Sequence, residues 1–408
     1  MNRPGPGTPV VLGLFLLLVH GGAGWAQSAG PGPAAPSAAV VADWDGFAAK
    51  GCTRCHRVRG IGDGDIGPDL GRLRSGTSFF DVAAAMWNHL PQMRQAMLEQ
   101  GVEWPRFTPQ ELSNVIAFLF TAQDREVRGN PGVGASLFVS RGCERCHAAG
   151  GQARRLGPSL DELKRSLSPV LLVATMWNHS VRMDQAMQAA GVAGLAVGDT
   201  EMSDIVAYIA SVGGGPSGTV TPIVAGLAER GKQIFADKGC ARCHAISGKA
   251  SPLGPSLGPR ATRPNLVELA GRMSKHGPAL RAGVATLGIP PPPLTGPEAA
   301  DLVAHLHASY YFDVADGDMR RGRLRLQDRG CLRCHAIYTK GGTLAPDLAN
   351  ANVVRTQIGH LAAMWNHGRY MENTTRRQDI SLPTLTAREL ADITRYLSGL
   401  GGGGLQKP

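Results

Sequence analysis

Four copies of one short motif, Cys-x-x-Cys-His, constrain this 408-residue chain more than any other feature. The copies begin 91, 97 and 91 residues apart, so the chain is an array of four repeats of similar length, numbered here 1 to 4 in chain order. The motifs use all eight cysteines of the chain. Their members are Cys52, Cys55 and His56; Cys143, Cys146 and His147; Cys240, Cys243 and His244; and Cys331, Cys334 and His335.

Each motif lies in a longer pattern that recurs in every repeat. A proline followed by x-Leu stands eleven or twelve residues after each histidine, at Pro68, Pro158, Pro255 and Pro346. Farther along stands Met-x-x-His, which reads Met-Trp-Asn-His in repeats 1, 2 and 4 and Met-Ser-Lys-His in repeat 3. A threonine three residues before a glutamate then predicts the start of a last helix, at Thr108, Thr295 and Thr386.

The periodicity of the apolar residues predicts the fold class. Helical periodicity closes each repeat, and no period-2 strand pattern is present, so we predict an all-α fold of four tandem helical domains. At about 85 residues a protein core alone is marginal, so each domain is expected to need a cofactor in its core. The predicted domains are residues 41–125, 130–213, 223–312 and 313–400.

The first residues carry the features of a secretory signal. Arg3 precedes an apolar run over residues 10–19, and small residues lead to a cleavage site after Ala26. We predict a signal peptide over residues 1–26, followed by a flexible Ala-, Pro- and Gly-rich linker over residues 27–40. The mature protein is therefore expected in the periplasm or otherwise outside the cytoplasm. A signal that is not cleaved would leave an N-terminal membrane anchor.

The chemistry of the cysteine motif points to covalently attached haem. In Cys-x-x-Cys-His the two thiols form thioethers with one haem, and the next residue points its imidazole at the iron. Zinc sites place their cysteine pairs about 15 to 20 residues apart, whereas these pairs lie more than 90 residues apart. Nothing in the sequence resembles the βαβ context of a thioredoxin-like redox pair. The motifs therefore predict four covalent haems c.

Each repeat resembles a class I cytochrome c domain, and the resemblance covers nearly the whole chain after the signal. That family has a first helix ending in the attachment motif, a Gly-Pro-x-Leu segment, a middle helix, a methionine ligand in a loop, and a last helix crossing the first. The resemblance implies that the four histidines of the motifs are iron ligands. It also implies that the carbonyl of each following proline accepts a hydrogen bond from the Nδ1–H of that imidazole, which fixes the ring.

The sixth iron ligand has two candidates in each of three repeats. Met93, Met183 and Met371 match the family's methionine, 36 or 37 residues after their proximal histidine, and we predict them as ligands. Pro91 is expected to end the middle helix and present Met93 in a loop. The alternative is a bis-histidine haem, which would have a lower reduction potential. Its candidates are present in all four repeats, at His89, His179, His276 and His367.

Repeat 3 departs from the pattern of the other repeats. Leu280 stands where the methionine is expected, and His305 replaces an aromatic residue of the last helix. We therefore predict His276 as a ligand of that iron, with an open five-coordinate iron or an unexpected ligand as the alternatives. His305 is expected to face the packing between helices.

These features predict a periplasmic electron-transfer protein that relays single electrons through four c-type haems. The alternative is a haem enzyme, peroxidase-like or reducing a small molecule, with an open haem in repeat 3, although the sequence identifies no catalytic residues. Expected partners are other redox proteins or a membrane oxidoreductase complex. Nucleic acid is not an expected partner, because no recognition motif is present. The haem propionates, about −8 in total, would also offset most of the positive formal charge of the chain.

Overall fold

A computed structural model describes residues 44–72, 78–123, 129–151, 156–162, 168–192, 197–212, 226–246, 253–258, 265–286, 292–309, 317–350 and 353–400. Every repeat has the same order of elements: a first helix, a short 3-10 turn at the cysteine motif, a middle helical segment and a last helix. The predicted all-α, multi-domain fold is confirmed. The exception in the described residues is a two-residue antiparallel pair, Ala336–Ile337 (β1) with Lys340–Gly341 (β2).

The helices are numbered in chain order. The first helices are α1 (Trp44–Ala49), α5 (Pro131–Ser140), α8 (Ala228–Asp237) and α11 (Met319–Asp328). The middle segment is broken in repeat 1 and continuous elsewhere, and comprises α2 (Phe79–Asn88), α3 (Leu90–Glu99), α6 (Pro169–Ala189), α9 (Leu266–Thr286) and α12 (Gln357–Arg377). The last helices are α4 (Pro109–Gln123), α7 (Asp199–Val212), α10 (Gly296–Ala308) and α13 (Ala387–Gly399). The 3-10 turns are Cys52–Arg54, Leu70–Arg72, Cys143–Arg145, Leu160–Glu162, Cys240–Arg242 and Cys331–Arg333.

The predicted starts of the last helices are confirmed. The side chain of Thr295 accepts a hydrogen bond from the Glu298 N–H, and the Glu298 carboxylate accepts one from the Thr295 N–H. The same reciprocal cap is formed at Thr108 and at Thr386. Because each cap satisfies N–H groups that have no partner within the helix, the short local pattern defines the helix start independently of tertiary contacts.

Within a repeat, the first helix crosses the last helix at close range. In repeats 2, 3 and 4 a glycine of the first helix lies against a backbone carbonyl of the last helix, where a Cβ would overlap it. One turn away an aromatic pair fills the crossing, for example Phe138 and Tyr208, whose ring centroids are 5.5 Å apart. In repeat 3 the partner of Phe235 is His305, at 5.7 Å. His305 therefore faces the helix packing, as expected from its position.

The repeats associate in nested pairs, repeat 1 with repeat 4 and repeat 2 with repeat 3. The indole Nε1–H of Trp87 donates to the carbonyl of Pro383 at 2.8 Å, and Trp365 donates in return to the carbonyl of Pro105 at 2.8 Å. The following asparagine of each element exchanges two hydrogen bonds with one backbone residue of the partner repeat. We call this tryptophan–asparagine arrangement the clasp.

The pair of repeats 1 and 4 has local twofold symmetry. Arg94 and Glu372 occupy equivalent positions in their repeats, and they form an ion pair with each other at 2.7 Å. Leu90 contacts the equivalent position of repeat 4, Gly368, where a Cβ would overlap the leucine side chain. Contacts between equivalent positions occur only close to a twofold axis, so the two repeats interact as the subunits of a C₂ dimer do.

The pair of repeats 2 and 3 has half of this clasp in the described residues. Trp177 donates to the carbonyl of Pro292 at 2.7 Å, and Asn178 exchanges two hydrogen bonds with Leu294. Repeat 3 has Ser274 and Lys275 in place of tryptophan and asparagine, so it cannot return these bonds in the same form.

The buried apolar residues follow the same pairing. One cluster contains side chains of repeats 1 and 4, and a second contains side chains of repeats 2 and 3. Phe120 of repeat 1 belongs to the second cluster and so joins the two pairs. Beside it, the fully buried ring of His307 lies between Phe120 and Phe79, with centroid distances of 4.3 and 5.7 Å. Within the described residues, no helix is both long enough and apolar enough to cross a membrane.

Candidate haem-binding sites

A left-handed glycine begins the cysteine turn in every repeat. Gly51, Gly142, Gly239 and Gly330 have φ between 74° and 79° and precede the first cysteine. A residue with a Cβ is strained in this conformation, whereas glycine is not. The chain then turns tightly enough for the histidine N–H to bond the carbonyl of the first cysteine, at 2.9 to 3.0 Å in all four repeats. Both thiols and the imidazole are thereby held by one short turn.

An ion pair ties each cysteine turn to the last helix of the same repeat. The basic residue two positions before the first cysteine reaches the glutamate of the helix cap. These pairs are Lys50–Glu111, Arg141–Glu201, Lys238–Glu298 and Arg329–Glu389. The Thr108 N–H, and then Lys50, hold the pKa of Glu111 below its usual value. The cap and the cysteine turn therefore share one carboxylate, which fixes the site relative to the helix.

The eight cysteines, all within the described part of the chain, are half-buried and free of disulfides. Burial raises the pKa of the Cys52 thiol to about 12 and that of Cys331 to about 11. A thiol that stays protonated is a poor metal ligand, because the thiolate is the form that binds metals. The raised pKa therefore disfavours Cys52 and Cys331 as metal ligands.

The proximal imidazoles are oriented by the predicted proline carbonyls. The Nδ1–H of His56 donates to the carbonyl of Pro68 at 3.0 Å. The distances in repeats 2, 3 and 4 are 2.9, 2.9 and 2.8 Å, to Pro158, Pro255 and Pro346. A carbonyl can only accept, so this bond places the proton on Nδ1 and leaves Nε2 as the nitrogen for a metal. A donor set of this kind matches an iron-binding histidine with its orienting partner.

A cavity lies beside the cysteine motif of repeat 4. It has a volume of about 810 Å³, which is in the range of cofactor sites, and it is lined by Cys331, Cys334 and His335. The cavity is mainly apolar, as a buried porphyrin requires. Two residues of repeat 1, Trp87 and Arg106, also line it, so the partner repeat completes the wall. The residues present therefore fit a covalent haem.

The candidates for the sixth ligand lie on the middle helical segments, within a helix except for His89 at the break between α2 and α3. In repeat 4, His367 and Met371 line the same cavity as His335. In repeat 2 the ring of His179 lies opposite that of His147, with centroids 6.0 Å apart, and Met183 is half-buried one turn farther along α6. The side chains of His276 and Leu280 lie outside the described residues. Methionine ligation stays a prediction.

One expectation about repeat 1 is wrong. Pro91 does not present Met93 in a loop, because it stands in the first turn of α3 and Met93 lies within that helix. Proline is well tolerated there, since its missing N–H would have no partner in the helix. The break before it lies at His89, whose backbone is non-helical and whose Nδ1–H donates to the Ala85 carbonyl at 2.9 Å.

The clasp is the part of the site that sequence reasoning missed. In the sequence, Met-Trp-Asn-His supplied only its histidine as a candidate ligand. Its tryptophan and asparagine both donate to carbonyls of another repeat. Repeat 3 retains the cysteine motif but lacks this tryptophan and asparagine. Their absence was the available signal that the two side chains act outside their own repeat.

Comparison with known proteins agrees with this geometry. The cytochrome c family model matches residues 45–123 and residues 228–309, which fall in repeats 1 and 3. Two regions of the chain are therefore similar to cytochrome c domains. Cytochrome c domains hold haem c covalently and transfer electrons, and the matched regions include repeat 3 despite its departures at positions 280 and 305. No curated protein and no solved structure matches the chain.

Proposed function

We propose that this chain is an electron-transfer protein with four haem c centres, one in each repeat, that works outside the cytoplasm. The bound haem would supply a one-electron iron couple. The protein's own residues would attach it through the two thiols of each motif, ligate it through the adjacent imidazole, and hold that imidazole by the proline carbonyl. Electron donors and acceptors are proposed to be other redox proteins or a membrane oxidoreductase complex.

The observation that carries this proposal is that the four attachment sites have the same structure. Each repeat has a left-handed glycine, a 3-10 turn with two free thiols, and an imidazole bonded through Nδ1 to a proline carbonyl at 2.8 to 3.0 Å. Repeats 2 and 4 have these features as fully as repeats 1 and 3, which match the cytochrome c family. Four equivalent attachment sites fit a set of one-electron centres.

The nested pairs suggest the order of electron exchange. Trp87 of repeat 1 lines the cavity beside His335 of repeat 4, and Trp177 of repeat 2 bonds Pro292 of repeat 3. We propose that repeats 1 and 4 exchange electrons directly, as do repeats 2 and 3. Exchange between the pairs would then occur near His307 and Phe120. This order differs from the order of the repeats along the chain.

Haem stoichiometry and reductive titration test the function. The mature protein from a host that attaches haem c is expected to carry four haems by mass and to take up four electrons per chain. A matched variant with Cys143 and Cys146 both changed to Ser should carry three haems and take up three electrons. Two haems in the unmodified protein would contradict the proposal and would restrict attachment to the repeats that match the family.

A haem enzyme is the second candidate function, and the observation that favours it is Leu280 at the methionine position of repeat 3. An open iron in that repeat would bind cyanide or azide and change from a high-spin to a low-spin spectrum. Electron transfer alone predicts that the oxidised protein is low-spin throughout and does not respond to these ligands. Turnover of peroxide or another small oxidant with a high-spin centre present would favour the enzyme.

A further inference from the structure

The imidazoles of repeat 2 face each other at the separation of two ligands on one metal ion. The ring centroids of His147 and His179 are 6.0 Å apart and the ring planes are inclined by 60°. Histidine nitrogens bind metals at about 2.0–2.1 Å, and the ring centre lies about 1.1 Å beyond the nitrogen. Two imidazoles on opposite sides of one iron therefore have centroids about 6 Å apart, which is the distance in the structure.

A backbone carbonyl supports the proximal histidine of repeat 2, and another supports the repeat 1 equivalent of His179. His147 is held through Nδ1 by the Pro158 carbonyl, which leaves Nε2 for the metal. On the opposite side, the equivalent of His179 in repeat 1 is His89, and its Nδ1–H donates to the Ala85 carbonyl at 2.9 Å. This bond again leaves Nε2 without the proton. A backbone carbonyl behind the ring is the usual support of an iron-binding histidine.

Met183 lies on the same helix and competes with His179 for this position. Helix α6 runs without a break from Pro169 to Ala189, so positions 179 and 183 lie one turn apart on the same face. One iron has a single vacant side, so it can take only one of them. The sequence adds that repeat 3 retains the histidine, as His276, and replaces the methionine with Leu280.

We propose that His179, rather than Met183, is the sixth ligand of the haem in repeat 2, opposite His147. This inference rests on the proposed haem attachment and adds the identity of the ligand set. Bis-imidazole ligation lowers the reduction potential relative to methionine and histidine. Repeat 2 is therefore expected to be a low-potential centre of the chain.

Near-infrared magnetic circular dichroism of the oxidised full-length holoprotein tests the ligand. The variant His179→Gly is expected to convert one haem from low-spin to high-spin, and added imidazole should restore the low-spin signal. A cavity of about 500 Å³ beside His179, lined also by Thr175, Arg182 and Pro292, gives imidazole room to enter. The matched control Met183→Leu should leave the spectrum and all potentials unchanged.

The opposite pattern would overturn the inference. In that pattern, Met183→Leu would remove a methionine–histidine signal, and His179→Gly would leave every haem low-spin. Haem content by mass separates this outcome from a failure of the proposed function, because a protein with no haem at Cys143 and Cys146 fails on attachment before ligation is tested. If His179→Gly does not fold, His179→Met provides the second test. It should replace a bis-histidine signal with a methionine–histidine signal and raise one potential.

Discussion

The buried imidazole of His307 should make the contact between the two pairs of repeats sensitive to acid. The ring lies at the end of α10 of repeat 3, enclosed by Phe79 and Phe120 of repeat 1, and is fully buried. Burial lowers its pKa from the ordinary 6.5 to about 3, because the charged form would lose its hydration. The folded protein therefore holds the ring neutral at pH values at which the unfolded chain binds a proton.

The sign and size of the effect follow from this difference in pKa. Below pH 6.5 the unfolded state binds more protons than the folded state, so stability falls as the solution is acidified. The loss approaches about 1.4 kcal/mol for each pH unit until the folded pKa of about 3 is reached. At pH 5 the unfavourable contribution of His307 is therefore about 2 kcal/mol, whereas at pH 7 it is close to zero.

Urea unfolding of the holoprotein at pH 7 and at pH 5 measures this contribution. The variant His307→Phe keeps an aromatic ring at the site and removes the titration. The difference in unfolding free energy between the two pH values should be about 2 kcal/mol smaller in the variant than in the unmodified protein. Other titrating groups contribute equally to both proteins and cancel. An identical pH dependence in both would refute the argument that the ring is neutral and buried at this contact.

Three further changes test the clasp, the attachment site and the twofold axis. Trp365→Phe keeps an aromatic ring at the position but leaves a backbone carbonyl of repeat 1 without its donor. The free energy of unfolding in urea should therefore fall by about 1–3 kcal/mol. No loss would mean that water replaces the indole. Gly67→Ala places a Cβ against the ring of His56, so one haem of four should lose its low-spin spectrum or be absent by mass. Arg94→Glu should destabilise the protein by on the order of 2–3 kcal/mol, since it opposes Glu372 in a largely buried position. Adding Glu372→Arg should recover most of that loss, and failure to recover it would contradict a symmetric contact.

The features that the sequence predicted correctly are those determined by neighbouring residues. The cap at Thr295 forms because Glu298 is three residues away, and the proximal imidazole meets its proline carbonyl because only eleven or twelve residues separate them. Both interactions close within one turn or one loop. The spacing of threonine and glutamate predicted the cap, and the resemblance to cytochrome c domains implied the bond between imidazole and proline. The apolar periodicity likewise gave the helices and the all-α class, because a single amphipathic face determines it.

The features that the sequence did not predict depend on contacts between distant residues, or on two local conformations that the neighbouring residues allow equally. The clasp joins Trp87 to Pro383 across 296 positions, and no spacing rule connects them. Pro91 was expected to end a helix, but a proline is equally compatible with the first turn of a new one, as α3 shows. The proposed choice of His179 over Met183 rests on the 6.0 Å between the rings of His147 and His179, a distance that the sequence does not give because both candidates lie on the same face of one helix.

The pair of repeats, rather than the single repeat, is the unit that buries a core. A domain of about 85 residues encloses little apolar surface of its own, and here the apolar side chains of repeats 1 and 4 form one cluster and those of repeats 2 and 3 another. The clasp satisfies backbone carbonyls that a separated repeat would expose, and Trp87 closes a cavity that belongs to another repeat. Pairing repeat 1 with repeat 4 also brings both ends of the described chain into one pair. Because the cavity beside His335 is partly walled by repeat 1, the environment of that site depends on the pair and not on repeat 4 alone.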